Sequence, residues 1–182
     1  LAEVLKRVPL RPAETFQEAV QSIFIVLLAV HLESNGHAIS LGRFDQYVYP
    51  LYKKDIEEGR ITKEQALEIL ECFFIKCNEL NKLGSWPDTE FFMGYQMFIN
   101  MAVCGQTVDG KDATNDVSLL CIQACRELKL ITPSVSIKYF DGTKDEVLQD
   151  ALEAAIEHKG GMPAFYNDNA FIKILRNMGI AE

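Results

Sequence analysis

The residues best suited to chemistry in this 182-residue chain fall in one stretch, Glu33-Ser34-Asn35-Gly36-His37-Ala38-Ile39-Ser40-Leu41-Gly42-Arg43-Phe44-Asp45-Gln46. It gathers polar side chains around two glycines, directly after the apolar run Ile23 to Val30. A buried loop with so many polar groups must satisfy them internally. Two readings follow. In the first, the stretch is a hydrogen-bonded structural turn: His37 is a satisfied core histidine, and Arg43 and Asp45 pair with each other or with nearby backbone. In the second, it lines a polar cavity, and His37 is an acid, base or donor toward a small molecule.

Other groups carry less. Cys121 and Cys125 are four apart and Cys72 and Cys77 five apart, with no histidine at ligand spacing, so no metal site is expected. These cysteines, with Cys104, read as small core hydrophobes. Asp109, Asp112 and Asp116 do not match a calcium loop and read as caps and surface charges. Gly160-Gly161 lacks the Lys-Ser or Lys-Thr of a phosphate loop and reads as a turn. No Gly-x-Ser-x-Gly occurs.

The elements that must hold the polar stretch can be read from periodicity. A helix is predicted from Pro12 or Glu14 to about Ser34, ended by Asn35-Gly36 and apolar nearly all round from Ile23. A second covers Phe44 to Glu58, with Phe44, Tyr47, Val48, Leu51 and Tyr52 as its stripe and Gly59 as its stop. Thr62 and Gln65 form a capping box for a third helix through Cys77. A loop is predicted around Gly84, Ser85, Pro87 and Asp88. Phe92 to Val103 is ambiguous between strand and helix. Asp112 or Thr114 is expected to start a helix through Leu128. Pro133 to Tyr139 alternates and reads as a strand. Thr143 is expected to cap a helix to His158. Ala164 to Tyr166 is a short strand, and Asn167 or Asp168 opens a last helix to Asn177. Helices between a few short buried strands give an α/β body, with too few strands to close a sheet alone.

Bulk properties narrow the function. The formal charge of −8 offers no basic stripe for nucleic acid or for an anionic membrane, so neither is expected as a partner. The run Ile23 to Val30 falls far short of the roughly 20 residues of a bilayer span. Five cysteines cannot complete a disulfide framework, and no secretory pattern is seen, so reduced thiols in the cytoplasm are expected. The chain begins with Leu1 rather than Met, which sets the expectation of a piece of a longer protein.

Glu33-Ser34-Asn35-Gly36-His37, then Gly42-Arg43-Phe44-Asp45-Gln46 and Tyr49-Pro50, resemble a signature of glycyl radical enzymes of the pyruvate formate-lyase superfamily, nearest its dehydratase, decarboxylase and lyase branches. Further blocks agree in order: Arg11-Pro12-Ala13, Gly94-Tyr95-Gln96 with Asn100, Gly105-Gln106-Thr107 with Asp109-Gly110, Asn115-Asp116, Pro133-Ser134-Val135-Ser136, and Gly161 to Phe165 with Asn167-Asp168. The ordered set spans essentially the whole chain but only about a quarter of a family-length protein.

The resemblance implies an α/β fold: a helix-rich segment, with a few short strands, of a ten-stranded barrel with chemistry at its centre. Residues 1–182 would then be part of one barrel domain. In such enzymes a C-terminal glycine holds a radical installed by an S-adenosylmethionine-dependent iron–sulfur activase. That radical converts the cysteine of a Gly-Cys-x-Glu loop to a thiyl, which removes a substrate hydrogen atom. Neither element occurs here: Cys104-Gly105 has the order reversed, and Gly94-Tyr95 lacks the Arg-Val that precedes the radical glycine. No catalytic residue is therefore expected in this chain, which should be inert alone, with no cofactor of its own.

What the resemblance carries over is part of a substrate pocket. His37 matches a substrate-contacting histidine, and Ala38 stands where the glycerol dehydratase-like branch has a serine, one hydroxyl fewer. Phe98 and Asn100 match a segment facing the same pocket, while Asn35, Gly36, Arg43, Asp45 and Gln46 complete the signature. The implied enzyme is cytoplasmic, anaerobic and homodimeric. It cleaves a C–O, C–N or C–C bond of a small polar metabolite, with a radical-activating enzyme as partner. Formate acetyltransferase is the alternative within the class. A free-standing helical interaction module is the rival outside it. The module predicts that the apolar face of Ile23 to Leu32 is covered within the chain or by a copy of itself, whereas the barrel segment predicts that it is partly bare.

Overall fold

A computed structural model describes residues 1–33, 38–81, 85–91 and 97–180. In chain order the elements are α1 (Ala2–Arg7), α2 (Phe16–Glu33), β1 (Ser40–Arg43), α3 (Phe44–Glu57), α4 (Lys63–Glu79), α5 (Trp86–Phe91), β2 (Asn100–Cys104), α6 (Asp116–Leu128), β3 (Ser134–Tyr139), α7 (Asp145–His158), β4 (Ala164–Asn167) and α8 (Asp168–Asn177). The four strands form one parallel sheet in the order β1-β2-β3-β4. Parallel crossovers share one hand, so an unreversed strand order keeps their helices on one side of the sheet.

Alternation along the strands separates the two faces. Met101, Val103, Val135 and Ile137 are fully buried toward the helices, where α3 and α6 pack on the sheet and α2, α4 and α7 pack on them. The opposite face carries Ser40, Asn100, Ala102, Ser134, Ser136, Ala164 and Tyr166, all half-buried or exposed. Parallel sheets are almost always covered on both faces. Here only one is, among the described residues.

The first long helix, α2, starts where the Phe16 N–H donates to Asp55 Oδ2 (2.7 Å), a carboxylate that also accepts from Arg60 Nε. It buries Phe16, Ala19, Val20, Leu27 and His31. By length and composition alone α2 could cross a membrane, with a mean hydropathy of 1.3. Here it packs along α3 and α4, and Val26, Val30 and Leu32 remain bare, Leu32 at 77% exposure. A face left partly bare is what the barrel segment predicts; within this chain nothing among the described residues covers it.

The described elements follow the sequence reading closely, with local corrections. The capping box of Thr62 and Gln65 is present. The α6 cap is Asn115 rather than Asp112 or Thr114, because its Oδ1 accepts from the N–H groups of Val117 and Ser118. Thr143 does not cap α7; its Oγ1 accepts from Phe140 N–H and closes the preceding turn. Residues 86–91 form a short helix inside the expected loop. Within the ambiguous stretch, Asn100–Cys104 is a strand. Helix α1 and strand β1 were not foreseen.

Arg43, Asp45 and Gln46 join this layer into one body. Arg43 Nη1 donates to Gln106 O and Nη2 to Cys104 O, both at 2.8 Å. Asp45, fully buried, accepts the Cys104 N–H at 2.7 Å and the Ser118 hydroxyl. Gln46 Nε2 donates to Ala113 O at 2.8 Å. Three successive polar residues thus hold the end of β2, the turn after it and the start of α6. Gly105 sits at φ +85°, and a Cβ there would lie 2.8 Å from Asp168 Oδ2 and 3.0 Å from Lys138 Cβ. The first of the two sequence readings therefore holds for these three residues, with backbone as the partner of Arg43 rather than Asp45.

Burial pushes the Asp45 carboxyl above its ordinary value, against the opposing pull of its hydrogen bonds and Arg43. A raised carboxylate value means that the folded state binds the proton more tightly. The Asp45 contribution to stability therefore declines as pH rises from the ordinary carboxylate range through the raised value. Asp45→Asn should flatten that dependence, read as the pH profile of the difference in unfolding free energy from wild type. Asp45→Ala leaves a buried N–H and hydroxyl unpaired, and should cost about 2–4 kcal/mol in denaturant unfolding at pH 7.

Candidate functional site

The residues that sequence reading placed in a pocket converge on one edge of the sheet. Ala38 lies two residues before β1, and Phe98 two residues before β2. Register brings these entries side by side: Ser40 pairs with Asn100, and Asn100 with Ser134. The edge is stitched by Asn100 N–H to Ile39 O at 3.0 Å and Ser134 N–H to Ile99 O at 2.8 Å. Ala38 and Phe98 both have positive φ, 38° and 49°. Such values are uncommon for residues with a Cβ and occur at turns and constrained sites. His37, Asn35 and Gly36 lie outside the described residues.

Phe98 is 38% exposed, and Asn100 is exposed on the open face with its Nδ2 directed to Phe98 O at 3.4 Å. Ser134, which no pocket reading included, shares that face. The alternation of Val135 and Ile137 against Ser134 and Ser136 is the signal that could have found it. Ser40, Asn100, Ser134, Ala38 and Phe98 carry neither charge nor thiol. The chemistry such an edge can perform is neutral hydrogen bonding beside an aromatic wall.

The cysteines lie elsewhere, and all five are free. Cys77 and Cys104 are pushed up to about 12 by burial and Cys125 to about 11, while Cys121, fully buried, is also raised well above the usual thiol range. Cys72 is exposed on α4, in an apolar groove shared with α2. None of them stands at the edge described above, and the four buried thiols are shifted away from the lowered value of an activated one. Among the described residues no cluster of metal-ligating side chains occurs.

The opposite edge, at the strand C-termini, has another character. A cavity of about 620 Å³ is lined there by Arg43, Gln106, Lys138, Asp168 and Arg176. Its charges are largely matched: Lys138 Nζ meets the buried Asp168 Oδ1 at 2.9 Å, and Arg43 is held by two carbonyls. These groups brace the end of the sheet.

Comparison with known proteins fits this architecture. The family described as "Pyruvate formate lyase-like" matches residues 1–182. The probable dehydratase YbiW of Escherichia coli is 35% identical over 99% of this chain and 23% of its own length. The isethionate sulfite-lyase of Oleidesulfovibrio alaskensis is 36% identical over 98% of this chain and 22% of its own. A solved structure concerned with 1,2-propanediol dehydration in Roseburia inulinivorans superposes with a TM-score of 0.93 at 46% identity, covering 99% of this chain and 22% of that one. The chain thus spans somewhat under a quarter of the length of these relatives, which include dehydratases and lyases. An open-faced parallel half-sheet, the signature clamp around Asp45 and a family match over every residue lead to one statement: the chain belongs to the pyruvate formate lyase-like family, among the glycyl radical enzymes.

Proposed function

We propose that this chain forms one wall of the barrel of a cytoplasmic glycyl radical enzyme that dehydrates a small, neutral vicinal diol. The observation that carries the reading is the edge formed by Ala38, Phe98, Asn100 and Ser134, none of which carries a charge. A substrate bearing sulfonate, carboxylate or quaternary ammonium calls for a countercharge or an aromatic cage. A neutral diol calls for a few hydrogen bonds and an apolar wall, and this edge offers both. Ala38 offers no side-chain hydrogen bond, which favours a substrate with two hydroxyls over one with three. The 46% identity to the structure concerned with 1,2-propanediol dehydration supports the same choice.

In this reading the parent enzyme's glycyl radical, transmitted through a cysteine outside residues 1–182 and installed by an S-adenosylmethionine-dependent iron–sulfur activase, supplies hydrogen-atom abstraction. The work of this chain is binding. His37 orients one substrate hydroxyl and can hold or release a proton beside it. Phe98 packs on the carbon skeleton and excludes water. Ala38 leaves room for a methyl group. Formate acetyltransferase remains the alternative chemistry, and homodimerisation follows from the resemblance alone.

Two outcomes test the proposal. In the full-length enzyme, Ala38→Ser should raise the ratio of kcat/KM for glycerol over that for 1,2-propanediol by about tenfold, since it adds one hydroxyl toward the third position. An unchanged ratio would remove Ala38 from the pocket. The chain alone, incubated anaerobically with the activase and S-adenosylmethionine, should show no glycyl radical signal by electron paramagnetic resonance and no diol turnover; either signal overturns the assignment of the radical machinery to the rest of the parent.

A further inference from the structure

The open sheet face has a graded floor. At its entry edge the register aligns Ser40, Asn100 and Ser134 in one row. One pleat further in, Ala102, Ser136 and Ala164 form a second row with no side chain larger than serine, flanked on the edge strand by Arg43, which pairs with Ala102 and whose guanidinium is drawn to the Cys104 and Gln106 carbonyls. Beyond that stand Lys138 and Tyr166. Adjacent strands lie about 4.8 Å apart, so the entry row spans about 10 Å. A three-carbon diol, about 5 Å long, bridges two of its members. The small second row keeps the floor low, leaving space above it.

Hydrogen-bonding capacity in the entry row is only partly used: Ser40 Oγ accepts from Gly42 N–H at 3.2 Å, while Asn100 and Ser134 keep open groups. Ser134 Oγ has no partner among the described residues. Asn100 turns Nδ2 to the Phe98 carbonyl, which leaves Oδ1 as an open acceptor. Both sit on central strands, whose backbone groups are already paired, so neither side chain is needed to complete the ladder. Met101 and Val135, the next residue on each strand, are fully buried on the other face, which fixes the direction of Asn100 and Ser134. A pair of polar side chains, Asn100 and Ser134, on an unbroken register and with bonding groups left open, is the kind of site suited to read a ligand.

We infer that Asn100 and Ser134 are specificity-determining residues that take, from the sheet floor, the substrate hydroxyl that Ala38 cannot bond. This rests on the diol reading given above. Asn100 Oδ1 accepts the hydroxyl proton, and Ser134 Oγ–H donates to the same oxygen. The pair makes the pocket selective for a substrate whose hydroxyl lies on the floor side. It rejects an analogue lacking that hydroxyl, because the analogue strands an acceptor and a donor in a closed site.

The test uses the activated full-length enzyme with 1,2-propanediol. Ser134→Ala and Asn100→Ala should each raise KM about tenfold, with kcat within about twofold and glycyl radical content unchanged by electron paramagnetic resonance. Ser134→Thr, which keeps the hydroxyl, should restore KM to within about threefold of wild type. A KM unchanged in both alanine variants, while Ala38→Ser still shifts the glycerol-to-diol ratio, overturns the floor assignment and leaves the diol reading intact. Unchanged kinetics in all three, Ala38→Ser included, overturn both. An equal loss of radical content and activity in the alanine variants, not restored in Ser134→Thr, makes the pair scaffold and also overturns the inference.

Discussion

The bonds made by Asp45 are the constraint on which the rest of this layer depends. A carboxylate in the first turn of α3 accepts from the backbone at the end of β2 and from a hydroxyl in the first turn of α6. Burying a carboxylate is costly unless its oxygens are bonded; both bonds here fall on Oδ2, Oδ1 is buried with no partner among the described residues, and burial raises the group's affinity for a proton. Arg43 and Gln46 extend the same grip to Cys104 O, Gln106 O and Ala113 O. With α3, β2 and α6 fixed in this way, the register of β1 against β2 and of β2 against β3 is fixed, and the entry edge of the sheet is set at the opposite end.

How much of this could be read from the sequence depends on how local each cause is. The long helices came from apolar periodicity, and β3 from the alternation of Val135 and Ile137 with serines. The Thr62–Gln65 box is a contact across three residues, and it was found. Strand β1 is only Ser-Leu-Gly-Arg, with Gly42 at φ +65° and a register irregularity against β2, so no alternation could announce it. The cap of α6 was placed too early because Asp112, Thr114 and Asn115 are all capping types. The choice of Asn115 is tied to its Nδ2 also reaching toward Asp45 O.

The site was legible in the same uneven way. Arg43, Asp45 and Gln46 stand out in the sequence, and a hydrogen-bonded structural turn is one of the two readings it allows. Their partners were not readable, because they lie 59 to 73 residues away in the chain. Ala38, Phe98 and Asn100 came from family resemblance rather than from any local pattern, and the structure brings their segments to one edge of the sheet. Ser134 carries no motif. It is visible only once register places it beside Asn100.

Among the described residues, the outward face of α2 and the open face of the sheet are both uncovered, and their chemistry differs in a way that bears on their roles. The outward face of α2 presents Val26, Val30 and Leu32, large and apolar, the composition of a packing surface. Among the described residues, the open face of the central strands presents serines, alanines and one asparagine at its entry and centre, with Lys138 further along and Arg43 on the flanking edge strand. A face meant to pack against other protein would be expected to carry the valines and isoleucines seen on the helical side of the same strands, because small polar side chains bury little apolar area and leave hydroxyls unpaired. A face meant to bound a cavity has the opposite need, low side chains and groups able to bond a small polar molecule. The same strands therefore meet both needs at once: alternate residues fill the helical core, and those between them are left small and polar. The two-residue period of a strand is what allows one sheet to be a rigid wall on one side and a binding floor on the other.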